Sequence, residues 1–249
     1  MRLGDTHVAR IGLGTNRLTK TKDNIDFIKA AVSAGVQMID TAHVYTGGQS
    51  EETIGEALSP LPEGCIVATK GGVRGASPEM LRADIEQSLR RLKVNQIDLY
   101  YLHRVDPETP LEESLSTIKE YREGGKIVLV GLSNVSIEQI EHARRVVPIA
   151  AVQNQFNLSD RRHDGVVDYC ANEGIVFVPY SPLRADSGQV LSEIARRLRA
   201  TPQQVMLAWL LRRSPAMLPI PGTLSLDHLK ENLAASRLDL TDQDFKTLS

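Results

Sequence analysis

The sequence predicts an α/β fold: a (β/α)8 TIM barrel with a short N-terminal hairpin and two extra helices. Three observations carry that expectation. Short apolar runs alternate with stretches of helical periodicity along the 249 residues. The runs lack strict period-two alternation, which suits strands buried on both faces of a parallel sheet. No composition shift or Pro/Ser/Gly-rich linker divides the chain, so residues 1–249 are expected to form a single domain.

The elements follow in order. "MRLGDTHVARIGLG" has room for a hairpin turning near Gly4-Asp5. The predicted barrel strands are "ARIGLGT" from Ala9, "VQMID" from Val36, "CIVATK" from Cys65 and "QIDLYYLH" from Gln96. Further on come "IVLVGLS" from Ile127, "IAAVQNQ" from Ile149, "IVFVPYS" from Ile175 and "AMLPIPG" from Ala216. The intervening helical stretches carry punctuation, with Ser77-Pro78 opening one and Gly35, Gly124 and Gly174 closing others. An extra helix is expected from about Gly188 to Arg199 and another over "TDQDFKTL". Eight strand–helix units close naturally into a barrel. The competing architecture is a doubly wound open sheet, which normally carries G-x-G-x-x-G after its first strand; "GLGTNR" does not match.

Bulk properties narrow the function classes. With 41% hydrophobic and 24% charged residues, the chain has an ordinary globular core. A net charge of −2 leaves no electrostatic footprint for nucleic acid or an anionic membrane surface. The pairs Arg90-Arg91, Arg144-Arg145 and Arg161-Arg162 are scattered and read as solvated helix faces. The two cysteines, Cys65 and Cys170, make no disulfide framework, the N-terminus lacks the apolar core of a signal peptide, and no apolar run reaches membrane-span length. The expectation is a soluble cytoplasmic protein.

In a barrel, the C-terminal ends of the strands share one mouth. Those ends carry Asp40, Lys70, His103, Ser133-Asn134, Gln153-Asn154, Tyr180-Ser181 and Pro221-Gly222-Thr223, with Tyr45 in the loop after Asp40. Each alone has a structural explanation: a turn-forming Asp, an edge Lys, a satisfied His, a rim aromatic. Converging on one mouth, a carboxylate, an ammonium, a phenol and an imidazole make a proton-transfer unit. A phenol with a pKa near 10 is a weak acid at neutral pH, and a nearby ammonium stabilises its phenolate. In this arrangement Asp40 pairs with Lys70 and keeps it charged, while His103 hydrogen-bonds and orients a carbonyl oxygen.

These residues and their surroundings resemble the aldo-keto reductase superfamily. The resemblance runs through "IDTAHVYTGGQSEETIGEAL", "VATKGG", "IDLYYLHRVDPETPLEESL", "GKIVLVGLSN", "VQNQFNLSDRR", "VPYSPL" and "PIPGTLSLDHLKENLAA", in order over nearly the whole chain. It implies a barrel that reduces aldehydes and ketones with a nicotinamide cofactor and needs no catalytic metal. It implies a catalytic tetrad of Asp40, Tyr45, Lys70 and His103, with Tyr45 donating the proton. Ser133, Asn134 and Gln153 would hold the nicotinamide carboxamide against the Tyr180 ring, with Asp40 close by. Thr15, Asn16, Ser181 and Leu183 would border the cofactor. Thr223, Ser225, His228, Glu231 and Asn232 would surround its adenosine end.

Two departures bear on cofactor choice. Gly222 stands where many NADPH-preferring relatives have Lys, and His228 where they have Arg. Arg grips a 2′-phosphate with a planar fork that neutral His lacks. NADP (NADPH) is the favoured cofactor, with NAD as the alternative. The short loop "YSPLRADSGQ" and the chain's end after "TDQDFKTL" imply an open pocket for small aldehydes. The C-terminal motif also resembles bacterial members of the family, some of which reduce pyridoxal. Two other functions compete: a nicotinamide-binding regulatory subunit, and a lyase using Lys70 as a Schiff-base nucleophile. Charge pairing with Asp40 counts against the lyase.

Overall fold

The computed structural model describes residues 1–185 and 188–249. A two-stranded antiparallel hairpin, β1 (Arg2–Leu3) and β2 (Thr6–His7), turns at Gly4-Asp5 as expected. Seven parallel strands follow in sequential order: β3 (Leu13–Gly14), β4 (Met38–Asp40), β5 (Ile66–Gly71), β6 (Ile97–Leu102), β7 (Ile127–Ser133), β8 (Ile149–Gln153) and β9 (Val176–Phe177). Between them lie α1 (Lys22–Ser33), α2 (Gln49–Leu58), α3 (Pro78–Leu92), α4 (Leu111–Glu123), α5 (Ile137–Arg144) and α6 (Asp164–Asn172). The chain continues through α7 (Gly188–Leu198), α8 (Pro202–Arg213), α9 (Leu226–Ala234) and α10 (Asp242–Leu248). The two expected extra helices are α7 and α10. The loop "YSPLRADSGQ" includes residues 186 and 187, so its expected shortness lies partly outside the described residues.

The expected eighth strand, "AMLPIPG", is not a continuous ladder. It closes the barrel through isolated parallel bridges, Phe177 to Met217 and Gly14 to Gly222. The backbone N–H of Leu218 donates to Phe177 on one side, and those of Gly12 and Gly14 donate to Pro219 and Pro221 on the other. Pro219 and Pro221 have no N–H to return, so the pairing with β3 runs one way, whereas on the β9 side Phe177 N–H also donates to the Ala216 carbonyl oxygen. The topology is nevertheless the (β/α)8 arrangement, and the open-sheet alternative falls.

Strand pleating divides the core. Met38, Ala68, Leu99, Tyr101, Ala151 and Val178 belong to one buried cluster with Leu3 and Val8 of the hairpin segment, which places the hairpin against the barrel interior. Tyr100 and Leu102 belong to the layer packed against the helices. Side chains two apart on a strand share a face. The inward positions therefore run Met38 to Asp40, Ala68 to Lys70, Tyr101 to His103 and Ala151 to Gln153. Apolar interior gives way to chemistry at the C-terminal ends.

Helix ends follow local signals. Ser77 caps α3 with Pro78 in the first turn, and Ser136, Thr201 and Thr241 make capping boxes with Gln139, Gln204 and Asp244. Helices α2 and α3 approach closely at Gly55, where a Cβ would overlap the Arg91 carbonyl oxygen. Gly55→Ala is therefore expected to lower stability by about 1–3 kcal/mol through overpacking. A urea unfolding midpoint equal to the parent's would contradict that tight approach.

The arginine pairs are not uniformly solvated. Arg91 turns inward to Glu51 and His43. Arg161 lies over the Trp209 ring and donates to the Leu248 carbonyl oxygen, and Arg144 binds Glu173 and the Tyr169 hydroxyl. Among the described residues no helix is long and apolar enough to cross a membrane.

Candidate active site

The strand ends enclose a cleft of about 480 Å3 at the barrel mouth. Asp40, Tyr45 and His103 line it, and Lys70 lies behind them, fully buried. Register explains the grouping: Asp40 pairs across the sheet with Ala68, and Lys70 with Tyr101. Tyr45 opens a 3-10 turn, Tyr45–Gly48, whose next three residues have positive φ: Thr46, Gly47 and Gly48. Two glycines make that reversal inexpensive. Thr46, at φ 49, is held by its hydroxyl donating to the Leu18 carbonyl oxygen at 2.7 Å.

Lys70 Nζ donates to Asp40 Oδ1 at 2.6 Å, to the Thr41 carbonyl oxygen at 2.7 Å and to the Tyr45 hydroxyl at 3.4 Å. An ammonium has three donors, and all are directed. Burial by itself lowers the Lys70 pKa, but Asp40 and Tyr45 outweigh it and the pKa rises above the ordinary lysine value. The charge stays on the nitrogen, as expected from its pairing with Asp40. Tyr101 also lies near the ammonium, which sits 5.9 Å from its ring centroid. Burial first, then Asp40, pushes that phenol well above the usual tyrosine value, and Tyr101 is not among the cleft residues. Of these two tyrosines, Tyr45 is the one that lines the cleft.

His103 stands edge-on to Tyr45, with ring centroids 6.0 Å apart. Burial, then the charges of Lys70 and Arg104, pushes its pKa down to about 3. The imidazole is neutral at pH 7. Among the described residues its buried Nδ1 has no hydrogen-bond partner. Linkage gives a testable sign. A histidine whose folded pKa lies below its unfolded value of about 6.5 stabilises the fold above that pH, and loses this contribution as pH falls toward the folded pKa. The His103 ring signals are expected to show no NMR titration between pH 5 and 8; a midpoint near 6.5 would contradict the placement.

The cleft wall formed by Ser133, Asn134, Gln153 and Tyr180 is bonded more tightly than the sequence suggested. Gln153 Nε2 donates to Asp40 Oδ2 at 2.7 Å, so Gln153 also fixes the carboxylate that holds Lys70. Its Oε1 remains as an acceptor. Asn134, at φ 58, donates from Nδ2 to Ser133 Oγ at 3.0 Å and to the His103 carbonyl oxygen at 3.2 Å. Asn134 Oδ1 accepts from the Tyr180 hydroxyl at 2.8 Å, which fixes that ring at the cleft wall. Ser133 Oγ keeps its own O–H for a ligand.

Thr15, Asn16, Ser181 and Leu183 also line the cleft. Thr223 borders a small adjoining recess with Asn16 and Arg17. Ser225, His228, Glu231 and Asn232 line neither space: Ser225 caps α9 by accepting from His228 N, and Asn232 is buried. Asn154 is likewise outside the cleft, bonded on both amide atoms to Val135. The sequence reading passed over Arg17 and Arg184, which both line the cleft. Arg17 directly follows Asn16 and Arg184 directly follows Leu183, two residues expected to border the cofactor, and that adjacency was the available signal. Among the described residues no cluster of three or more His, Cys, Asp or Glu could hold a metal ion.

The wall fits a nicotinamide: the Ser133 O–H and Gln153 Oε1 offer a donor and an acceptor to a carboxamide, and Tyr180 offers a ring face. Comparison with known proteins points the same way. The model of the Aldo/keto reductase family matches residues 10–187 and 184–249. An uncharacterized oxidoreductase of Schizosaccharomyces pombe is 39% identical, over 100% of this chain and 88% of the relative. Pyridoxine 4-dehydrogenase of Escherichia coli is 35% identical, over 99% and 96%. The crystal structure of a thermostable aldo-keto reductase superposes with a TM-score of 0.93 at 34% identity, covering 100% of this chain and 97% of that one. A Klebsiella pneumoniae aldo/keto reductase in complex with NADP and acetate gives 0.88 at 27% identity, over 97% and 90%. The fold, the matched residues and these similarities agree: the chain belongs to the aldo/keto reductase family.

Proposed function

We propose that this chain is a single-domain cytoplasmic enzyme that reduces small aldehydes or ketones to alcohols with NADPH, using Tyr45 as the proton donor. The observation that carries this reading is the buried Lys70 ammonium, held 2.6 Å from Asp40 and 3.4 Å from the Tyr45 hydroxyl at the edge of a ligand-sized cleft.

When bound, the reduced nicotinamide supplies a hydride to the carbonyl carbon. The protein's task is the oxygen. Neutral His103 donates from Nε2 and orients the carbonyl. Tyr45 gives its hydroxyl proton to that oxygen as negative charge develops there. Lys70 stabilises the phenolate left behind, and Asp40, held by Gln153, keeps Lys70 in place. Ser133, Asn134, Gln153 and Tyr180 are assigned to the carboxamide and ring, and Thr15, Asn16, Ser181 and Leu183 to the bordering cofactor. Arg17 and Arg184 add positive charge suited to an anionic dinucleotide. Thr223, Ser225, His228, Glu231 and Asn232 are assigned to the adenosine end, where the N-terminus of α9 offers backbone N–H groups. The relative that acts on pyridoxine makes pyridoxal a reasonable member of the substrate panel. The two buried thiols, Cys65 and Cys170, are compatible with a reducing compartment.

The test is cofactor oxidation over a panel of small aldehydes, pyridoxal included. Substrate-dependent loss of NADPH is expected, with a lower KM for NADPH than for NADH. Equal or reversed KM values would overturn the NADP assignment. Borohydride trapping of a substrate on Lys70, without cofactor oxidation, would favour the lyase instead.

A further inference from the structure

Behind the catalytic strands, a charged network occupies the layer between the sheet and helices α2 and α3. Glu51 is fully buried, and its Oε1 accepts from the Thr69 hydroxyl at 2.6 Å. Thr69 precedes Lys70 on β5, so this bond anchors the outer face of the strand that presents the ammonium. Glu51 Oε2 accepts from Arg91 Nη1 at 3.3 Å. The same nitrogen, which carries two hydrogens, also lies 3.0 Å from the His43 carbonyl oxygen and 3.2 Å from His43 Nδ1, so one of its hydrogens is shared between acceptors. With Nδ1 as acceptor, the Nε2–H of His43 is left for Asp84 Oδ1 at 3.2 Å. A Cβ built on Gly48 would overlap the Arg91 guanidinium, which therefore packs against the backbone at that point. His43 and Gly48 lie on either side of Tyr45.

We propose that Arg91 is a positioning residue: its guanidinium clamps both ends of the turn carrying Tyr45 and, through Glu51 and Thr69, ties that turn to the strand carrying Lys70. This inference rests on Tyr45 being the proton donor. Arg91 touches neither the cleft nor the reacting atoms; it acts on the separation of the phenol and the ammonium. All three polar contacts converge on Nη1, so the clamp depends on where that one nitrogen is held, by a guanidinium packed against Gly48; lysine would place its charge on a flexible stem. Small misplacements of a catalytic group are expensive, and a shift near 1 Å can cost about 100-fold in rate.

The experiment measures kcat with an aldehyde, NADPH affinity by fluorescence, and the unfolding midpoint for Arg91→Met and Arg91→Lys. Each substitution is made in the full-length parent and in Tyr45→Phe. Arg91→Met is expected to lower kcat about 10- to 100-fold with NADPH affinity unchanged. In the Tyr45→Phe background it is expected to cause little further loss, since the geometry it maintains is already without a proton donor. Arg91→Lys, which keeps a charge facing Glu51, is expected to fold and to recover part of the lost kcat. Parent-level kcat in a folded Arg91→Met, or equal losses in both backgrounds, would overturn the proposal. If Arg91→Met does not fold, Arg91→Lys decides through the same two comparisons: parent-level kcat overturns the proposal, and a loss confined to the Tyr45-containing background supports it. A Tyr45→Phe protein as active as the parent would instead remove the proton-donor assignment, and this inference with it.

Discussion

Lys70→Met is expected to lose about 3–5 kcal/mol of stability and at least about 100-fold in kcat. The stability loss follows from burial. Asp40 is 2% exposed, and without the ammonium its carboxylate keeps the Gln153 amide and no opposing charge. Breaking one side of a buried pair is costly, whereas replacing both partners with neutral groups of similar volume often is not. Adding Asp40→Asn to Lys70→Met should therefore restore much of the urea midpoint while leaving kcat low. Equal midpoints for the single and double variants would show that Asp40 and Lys70 are not coupled.

Tyr45→Phe separates chemistry from structure. The ring is partly exposed, and among the described residues its hydroxyl makes a single long hydrogen bond, 3.4 Å, with Lys70. Its removal is expected to shift stability by no more than about 0.5 kcal/mol. Removing the general acid is expected to lower kcat by about 100- to 10,000-fold. NADPH affinity should stay near the parent's, because the assigned carboxamide residues lie on β7, β8 and their following loops. A parent-level kcat would mean that the proton comes from elsewhere.

The grouping of Asp40, Lys70 and His103 was legible because strand-end chemistry is local: each ends an apolar run, and pleating turns each toward the same mouth. The eighth strand was overcalled for an equally local reason, since apolar content hides the two missing N–H groups of Pro219 and Pro221. What escaped the sequence was side-chain pairing at a distance. Arg91 looked like a surface arginine on a helix, yet its partners lie 40 and 48 positions away. Gln153 looked like a cofactor ligand, and its bond to Asp40 spans 113 positions. No periodicity reports such contacts; they exist once the barrel has closed. The assignment of Ser225, His228, Glu231 and Asn232 to an adenosine end came from resemblance alone, and these residues line neither the cleft nor the recess beside it.

The claim that this cleft performs direct carbonyl reduction is tested by following the transferred hydrogen. The full-length protein is given an aldehyde and NADPH deuterated at C4, with the two C4 positions labelled in turn. One of the two labels is expected on the carbinol carbon of the alcohol, in a one-to-one ratio with cofactor oxidised. Alcohol formed without label from either cofactor, or cofactor oxidised without alcohol, would contradict hydride transfer at this site.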